Sequence, residues 1–303
     1  MDYKKWAPTY KIGPIQQNEI YIKRDDLIPY SFGGNKVRKA MLFFQEIEKR
    51  NYDTVVTYGS SSSNHCRIIA NMAAARGMHC HIISTESDEN AVNRKMVALF
   101  RADITVCDVT DVAQTIARVM NDYSANGRKA YFIQGGGHGN IGTRAYDLAF
   151  DEIAAYEQEQ RIAFDYIFHA SGTGTTQAGL ICGKRRCHSA AKIVGISIAR
   201  RNPRGGQIVS DSVKAYCGTE AEDDLIFVDD YICGGYGNRS KDVDMTIERI
   251  LTQYGIPLDP TYTGKAFWGM EQYIKLHQLT QKKILFIHTG GTPIFYDWMR
   301  KRI

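Results

Sequence analysis

The chain has 303 residues, 44% of them hydrophobic and 23% charged, with 38 Lys and Arg against 33 Asp and Glu and a net charge of +5. At ~100–200 residues per domain this length predicts two domains, and the near-average composition excludes disordered, collagen-like and disulfide-scaffold classes. The two signs of charge are interleaved and no basic stripe carries stacking aromatics, so nucleic acid is not an expected partner.

No apolar run approaches the ~20 residues of a membrane helix, and Met1–Lys11 holds no signal-peptide apolar stretch, so no membrane association is expected. The cysteines are odd in number, 7 in all, and scattered from Cys66 to Cys233, which predicts reduced thiols and a cytoplasmic setting. Cys182, Cys187 and His188 lie close in sequence but lack a second half-site, so no metal is expected there.

Short apolar runs rich in Val, Ile, Phe or Tyr predict strands at Thr54–Tyr58, His79–Ser84, Asp103–Cys107, Ala130–Gln134, Phe164–Ala170, Lys192–Ala199, Leu225–Val228 and Lys283–His288. Three-to-four spacing predicts helices over Asn64–Arg76, Asn90–Phe100, Asp111–Ser124, Ile141–Glu157 and Thr176–Arg186. This alternation means an α/β fold with two parallel-sheet domains and flanking helices. The first strand–helix units fill a small domain over 45–160, inserted into a larger one formed by 1–44 and 161–303. Ligands in such folds sit beyond the carboxyl ends of the strands or between domains, so the loops after strands carry the function.

The first loop of interest, Ser31–Lys36 (SFGGNK), leads into a helix-like stretch, Val37–Arg50. Asn35 is the expected N-cap, and Lys36 falls in the first turn. There the macrodipole, with Arg38 and Lys39 nearby, lowers the amine pKa and makes Lys36 a candidate nucleophile for an aldehyde. A solvated lysine beside a turn is the plainer reading of this stretch alone.

Gly59–His65 (GSSSSNH) sits between a strand and a helix, where Ser63, Asn64 and His65 are candidate contacts to a carboxylate; an over-supplied N-cap is the alternative. Gly137, Gly139 and Gly142 form a literal GxGxxG, but the next strand ends in His169-Ala170-Ser171 and lacks the acid that a dinucleotide ribose needs. These glycines are read as a tight turn or hinge. Ser171–Gln177 (SGTGTTQ) is the best phosphate cradle in the chain, with no GKS or GKT to make it a nucleotide loop. Arg200, Arg201 and Arg204 read as a solvated surface loop rather than an anion site. Tyr236 and Tyr262 each fall in a turn, and Thr289 follows the last strand.

An activatable lysine together with a cradle for a single phosphate describes pyridoxal 5′-phosphate. The motifs KRDDL (Lys23–Leu27), FGGNKVRK (Phe32–Lys39), SNH (Ser63–His65), GTTQAGL (Gly174–Leu180), GYG around Tyr236, YTGKA (Tyr262–Ala266) and HTGG (His288–Gly291) occur in one order. In these the sequence resembles the fold type II pyridoxal-phosphate enzymes, within them the D-cysteine desulfhydrase and 1-aminocyclopropane-1-carboxylate deaminase group. The resemblance implies a tryptophan synthase β-subunit-like fold and a homodimer acting on a small amino-acid substrate. It implies that Lys36 is the Schiff-base lysine that also moves the Cα proton, and that Asn64 is the partner of the cofactor's phenolic oxygen. Ser63 would touch the substrate carboxylate or act as a catalytic hydroxyl, with His65 beside it. Thr173, Gly174, Thr175 and Thr176 would form the phosphate cup, Tyr236 and Tyr262 the two active-site tyrosines, and Thr289 the partner of the pyridine nitrogen.

A neutral hydroxyl at that nitrogen makes a weaker electron sink than a carboxylate does, which suits β-elimination to a keto acid and ammonia. Ring-opening members of the group resemble a tyrosine–glutamate pair where this chain has Thr263, and HLGG where it has Thr289, so cyclopropane opening is disfavoured. Ser62 stands where relatives carry glutamine, and HTGGTPIFYDWM departs from the usual HTGGLPG. A β-replacement synthase with the same cofactor is the alternative activity.

Overall fold

The computed structural model describes residues 7–85, 88–221 and 224–302. Residues 1–6 of the opening segment read for a signal stretch lie outside the described residues, and no described helix is long and apolar enough to cross a membrane.

The chain begins with β1 (Thr9–Ile15), β2 (Asn18–Arg24) and α1 (Asn35–Lys49). It continues through β3 (Thr54–Tyr58), α2 (Asn64–Ala74), β4 (His79–Ser84), α3 (Val92–Leu99), β5 (Asp103–Val106), α4 (Val112–Ala125), β6 (Ala130–Ile133) and α5 (Asn140–Gln160). The remainder is β7 (Tyr166–Ser171), α6 (Thr175–Arg186), β8 (Lys192–Ser197), α7 (Arg204–Cys217), β9 (Ile226–Val228), α8 (Lys241–Tyr254), α9 (Thr263–Leu276), β10 (Lys283–His288) and α10 (Thr292–Arg300). Every predicted strand is present, its ends moved by two residues or fewer.

Two sheets form. One is four-stranded and parallel in the order β5-β4-β3-β6; the other is six-stranded in the order β1-β2-β10-β7-β8-β9. The larger sheet departs from the all-parallel expectation, because β1 pairs antiparallel with β2 in an N-terminal hairpin. That hairpin turns at Gln16 and Gln17, both at positive φ (47° and 65°), so the usual Asn-Gly or Asp-Gly signal is missing from its sequence.

Strands β10, β7 and β8 lie inside the larger sheet, and their runs are apolar because both faces are covered. Phe168, Val194, Ile284 and Phe286 meet α8 and α9 on one face, while Ile167, Ile193 and Leu285 meet α5 and α6 on the other. Each such side chain contributes about 1.5–3 kcal/mol by leaving water.

Buried charges fix α1 against this frame. Arg38 of α1 donates to Asp25 Oδ1 (2.8 Å) just beyond β2 and to Glu152 Oε1 (2.6 Å) on α5. Lys23 of β2 pairs with Glu152, and Tyr146 donates to Asp25. The network orients the helix whose first turn carries Lys36. One cysteine expectation is corrected here: Cys182 of α6 is joined to Cys217 at the end of α7. Separation in sequence hid this pair, which the packing of α6 on α7 brings together.

Candidate active site

The carboxyl ends of β3, β7, β8 and β10 face one cleft between the sheets, as expected for open parallel sheets. The cleft encloses a cavity of about 490 Å3 that gathers Lys36, Ser63, Asn64, His65, Thr173, Gly174, Thr176, Tyr236, Tyr262 and Thr289. Of the predicted site residues only Thr175 is absent from the lining. Among the described residues no Asp or Glu lines it, and its cations are Lys36 and Arg200.

Lys36 is in the first turn of α1, but the N-cap is Gly34 at φ 103°, not Asn35. A side chain at residue 34 would lie 2.8 Å from the Thr289 carbonyl, so the close approach of α1 to the end of β10 leaves room only for glycine. Asn35 instead bridges elements: its N–H donates to Thr289 O (3.0 Å) and its Nδ2 to Thr176 Oγ1 (3.3 Å). Lys36 Nζ donates to Gly136 O (2.9 Å). Burial lowers its pKa to about 8. The cause differs from the expected one, since Arg38 is turned away onto Asp25 and Glu152 and Lys39 onto Thr175.

Helix α6 starts behind the cup with Gly174 as its N-cap (φ 91°) and no capping side chain, so its first N–H groups are left for an anion. Thr173 and Thr176 line the cleft in front of them. Thr175 is fully buried behind, and its hydroxyl accepts from Lys39 Nζ at 2.6 Å. Lys39 itself is 1% exposed and meets no carboxylate among the described residues. Burial, reinforced by the Lys36 charge, holds its pKa well below the usual lysine range.

The SNH segment opens α2. Ser63 is the N-cap, its Oγ accepting from Cys66 N (3.2 Å), so this hydroxyl caps the helix and lines the cavity at once. Asn64 Oδ1 accepts from Arg67 Nη1 (2.7 Å) and Asn93 Nδ2 (3.1 Å). With its oxygen taken twice, the amide has its Nδ2–H groups left to donate. His65 Nε2 lies 2.9 Å from Thr57 Oγ1, which donates its own proton to Ile133 O. The network therefore assigns the His65 proton to Nε2 and leaves Nδ1 an acceptor. Burial, then the charges of Lys36 and Lys39, push its pKa well below the usual range, so the ring is neutral.

Tyr262 precedes α9, and its phenol lies 2.8 Å from the Tyr236 phenol, with the rings edge to face. Burial, then Tyr236, holds the Tyr262 pKa well above the ordinary phenol value. The loop is shaped by fully buried Asp259, whose carboxylate accepts from the N–H groups of Thr261, Tyr262 and Thr263 (2.8–3.0 Å). Thr263 also donates its hydroxyl to Asp259 Oδ2 (2.8 Å), facing away from the cleft lining.

Four features were not legible beforehand. Gly136, one residue before the first of the GxGxxG glycines, reaches the Lys36 amine. Lys39 closes the FGGNKVRK motif with no role assigned to it and Arg67 lies outside the quoted motifs, so a period of three from Lys36 to Lys39, and from Asn64 to Arg67, is the sign that both face the site. Arg200 corrects the surface-loop reading: it lines the cavity and donates to Gly172 O, while Arg204 opens α7.

The donor set fits pyridoxal phosphate. An amine of lowered pKa stands in the same cleft as an uncapped helix N-terminus, an amide turned donor outward and a hydroxyl at the end of β10. The pyridoxal-phosphate-dependent enzyme family model matches residues 6–290. D-cysteine desulfhydrase of Serratia proteamaculans is 33% identical over 292 residues, covering 92% of this chain and 88% of that protein. The enzyme of the same name from Klebsiella pneumoniae is 32% identical, with 92% and 89% covered. Among solved structures, an ACC deaminase homologue superposes with a TM-score of 0.90 at 30% identity, over 99% of this chain and 94% of that one. An O-ureido-L-serine synthase shares the fold alone, at TM-score 0.71 and 16% identity. A family match running from before β1 to the HTGG turn spans every element that walls the cleft, and the chain belongs to the pyridoxal-phosphate-dependent enzymes of fold type II.

Proposed function

We propose that the chain is a lyase that removes the β-substituent and the amino group of a small β-substituted amino acid, D-cysteine among the first candidates, giving a keto acid and ammonia. The observation that carries this reading is the lining of the cleft among the described residues: one amine, several hydroxyls and amides, and no carboxylate. When bound, the cofactor supplies an aldehyde for Lys36 and a conjugated ring that withdraws electrons from the substrate Cα.

Lys36 is proposed to hold the aldehyde covalently and, once displaced by substrate, to take the Cα proton on Nζ. An amine whose pKa is lowered to about 8 is partly free base near neutrality, which both tasks require. The α6 N-terminus, with Thr173, Gly174 and Thr176 in front and the Thr175–Lys39 pair behind, would grip the phosphate. Asn64 would donate to the phenolic oxygen, and Thr289 would face the pyridine nitrogen with a neutral hydroxyl. Ser63 and the neutral His65 would orient the substrate carboxylate. The Tyr236–Tyr262 pair would share the proton delivered to the departing β-group.

Thr263 supports elimination over cyclopropane opening, because its hydroxyl is committed to Asp259, behind the cleft, and no acid among the described residues stands beside the Tyr262 phenol in the lining. The curated relatives named D-cysteine desulfhydrase support the same choice. The reading includes a homodimer in the cytoplasm, testable by analytical ultracentrifugation and fractionation. It also keeps 45–160 as a unit inserted between 1–44 and 161–303, supported by its separate four-stranded sheet.

The test is a screen of D- and L-amino acids bearing β-substituents against the protein loaded with pyridoxal phosphate, recording keto acid and leaving group, followed by borohydride trapping. We expect release from at least one of them, loss of release in Lys36→Ala, and a reduced adduct on residue 36. Turnover of 1-aminocyclopropane-1-carboxylate in preference to every β-substituted amino acid would overturn the reading. So would product formation that depends on an added thiol or amine.

A further inference from the structure

Cys182 and Cys217 are joined across 35 residues of sequence, while the other five cysteines are free thiols. A single bridge in a chain that otherwise keeps its thiols is not a disulfide scaffold. In reducing compartments such bridges form and break with the redox state. What this one controls follows from the helices it joins and from the unequal burial of its ends.

Cys182 stands in α6, the helix whose uncapped N-terminus faces the phosphate cup, and Cys217 closes α7. The two helices pack together: Leu180, Ile181 and Cys182 share one buried cluster with Val209 and Val213. The contact reaches the cup itself. A side chain at residue 174 would lie 3.1 Å from Ile208 Cγ2 and 3.5 Å from Ile208 O, so α7 is the wall against which the first turn of α6 is set. At the other end of α7, further ties include Arg185 donating to Thr219 Oγ1 (2.9 Å) and Glu220 O (2.8 Å), both exposed. Exposed hydrogen bonds of this kind are weak beside a covalent link. The bridge therefore holds the wall to the helix that offers its N–H groups to the phosphate.

Cys182 is 4% exposed, whereas Cys217 lies at the surface. A small thiolate therefore meets Cys217 first. Its sulfur bonds to Cys217 Sγ, the Cys182–Cys217 bond breaks, and the electron pair leaves on Cys182 Sγ, which takes up a proton. A second small thiolate attacks the first one's sulfur in the mixed disulfide and releases Cys217 as its thiolate. Two small thiols are thus oxidised to one disulfide while the two cysteines are reduced. We propose that Cys182–Cys217 is an exchange site for low-molecular-weight thiols, and that its oxidised form grips pyridoxal phosphate more tightly through α6. By linkage, bound cofactor makes the bridge harder to reduce by the same factor. The proposal depends on the cofactor and not on the lyase reading.

The experiment compares oxidised wild type, wild type reduced with a phosphine that is then removed, and Cys217→Ser. In titrations of the cofactor-free proteins followed by absorption, oxidised wild type is expected to bind pyridoxal phosphate about fivefold or more tighter than reduced wild type, a coupling of the size common between linked sites. Cys217→Ser should bind as the reduced protein does and ignore the phosphine. In buffers of glutathione and its disulfide, with thiols trapped by alkylation and read by peptide mass spectrometry, saturating cofactor should shift the reduction equilibrium by the factor found in the titration. Equal affinity in the two redox states, or a reductant effect that survives in Cys217→Ser, overturns the proposal. So does alkylation of Cys182 and Cys217 in air-equilibrated protein without prior reduction. Loss of folding on reduction overturns it as well, since the bridge would then support the fold and switch nothing. None of these readouts uses turnover, so a failed lyase screen leaves them interpretable.

Discussion

Arg67 holds Asn64 by its oxygen: the Arg67 Nη1 to Asn64 Oδ1 distance is 2.7 Å, with Asn93 Nδ2 on the same oxygen at 3.1 Å. Arg67 is fully buried and meets no carboxylate among the described residues, and burial lowers its pKa to about 9. Its charge therefore acts on amide dipoles, fixing which end of Asn64 faces the cleft. Replacing Arg67 with Met frees the amide to turn. Titrating the cofactor-free protein with pyridoxal phosphate should show affinity weakened about tenfold or more, as for loss of a hydrogen bond to a charged group. The loaded variant should also show a shifted absorption maximum.

The Lys36 amine sets a second expectation. Its folded pKa of about 8 lies below the ~10.4 of an unfolded lysine, so between those values the unfolded chain binds more protons and stability rises with pH. Reactivity follows the free base. Competitive acetylation of the cofactor-free protein, read at residue 36 by peptide mass spectrometry, should reach half its limiting rate near pH 8 and level off above. An exposed lysine in the same digest should keep accelerating to beyond pH 10. A Lys36 profile that matches the exposed lysine removes the case for burial as the activating force.

The two phenols at 2.8 Å form one proton-sharing unit. Groups that act as a unit are not additive on removal. Tyr236→Phe and Tyr262→Phe should each lower kcat by about a hundredfold, within the range of general acid–base catalysis. The double variant should lose little more than either single one. A double variant with multiplied losses would mean that the two hydroxyls serve separate steps.

The strands and the cleft loops were legible because they obey local rules. Runs such as Lys283–His288 are apolar since β10 is walled on both sides, and the glycines beside Lys36 and Thr173 stand where chain or ligand comes close. Helix α9 was not legible, since Gly264, Phe267, Gly269, Met270 and Ile274 are buried together and erase its polar face. Helix α8, with Val243, Ile247 and Ile250 buried and Ser240 as its cap, carries the ordinary amphipathic signal. The partners of site residues were beyond reach. That Lys39 meets Thr175, or Asp259 the backbone of Tyr262, depends on which strand ends face each other, and no spacing in the chain encodes that.

The KRDDL and VRK motifs make the last prediction, because their charges are structural. Asp25 is fully buried, accepts from Arg38 through both oxygens (2.8 and 3.0 Å), and also accepts from Tyr146. Burial alone would raise its pKa, but the Arg38 and Lys23 charges outweigh burial and hold it below the usual carboxylate value. With the folded pKa depressed, Asp25 contributes stability above the unfolded value of ~3.9, and that contribution is lost as pH falls through the folded pKa. Asp25→Asn leaves Arg38 with Glu152 as its remaining acid, shared with Lys23. Breaking one partner of a buried pair costs about 3–5 kcal/mol, so urea unfolding at neutral pH should show a loss of that size. The variant's stability should then fall less steeply than wild type below pH 4. Since Asp25 touches neither Lys36 nor the cavity lining, kcat per folded molecule should stay within about threefold of wild type, well short of a tenfold, 1.4 kcal/mol effect. A variant that keeps its stability but loses turnover would assign Asp25 to the chemistry instead of the frame.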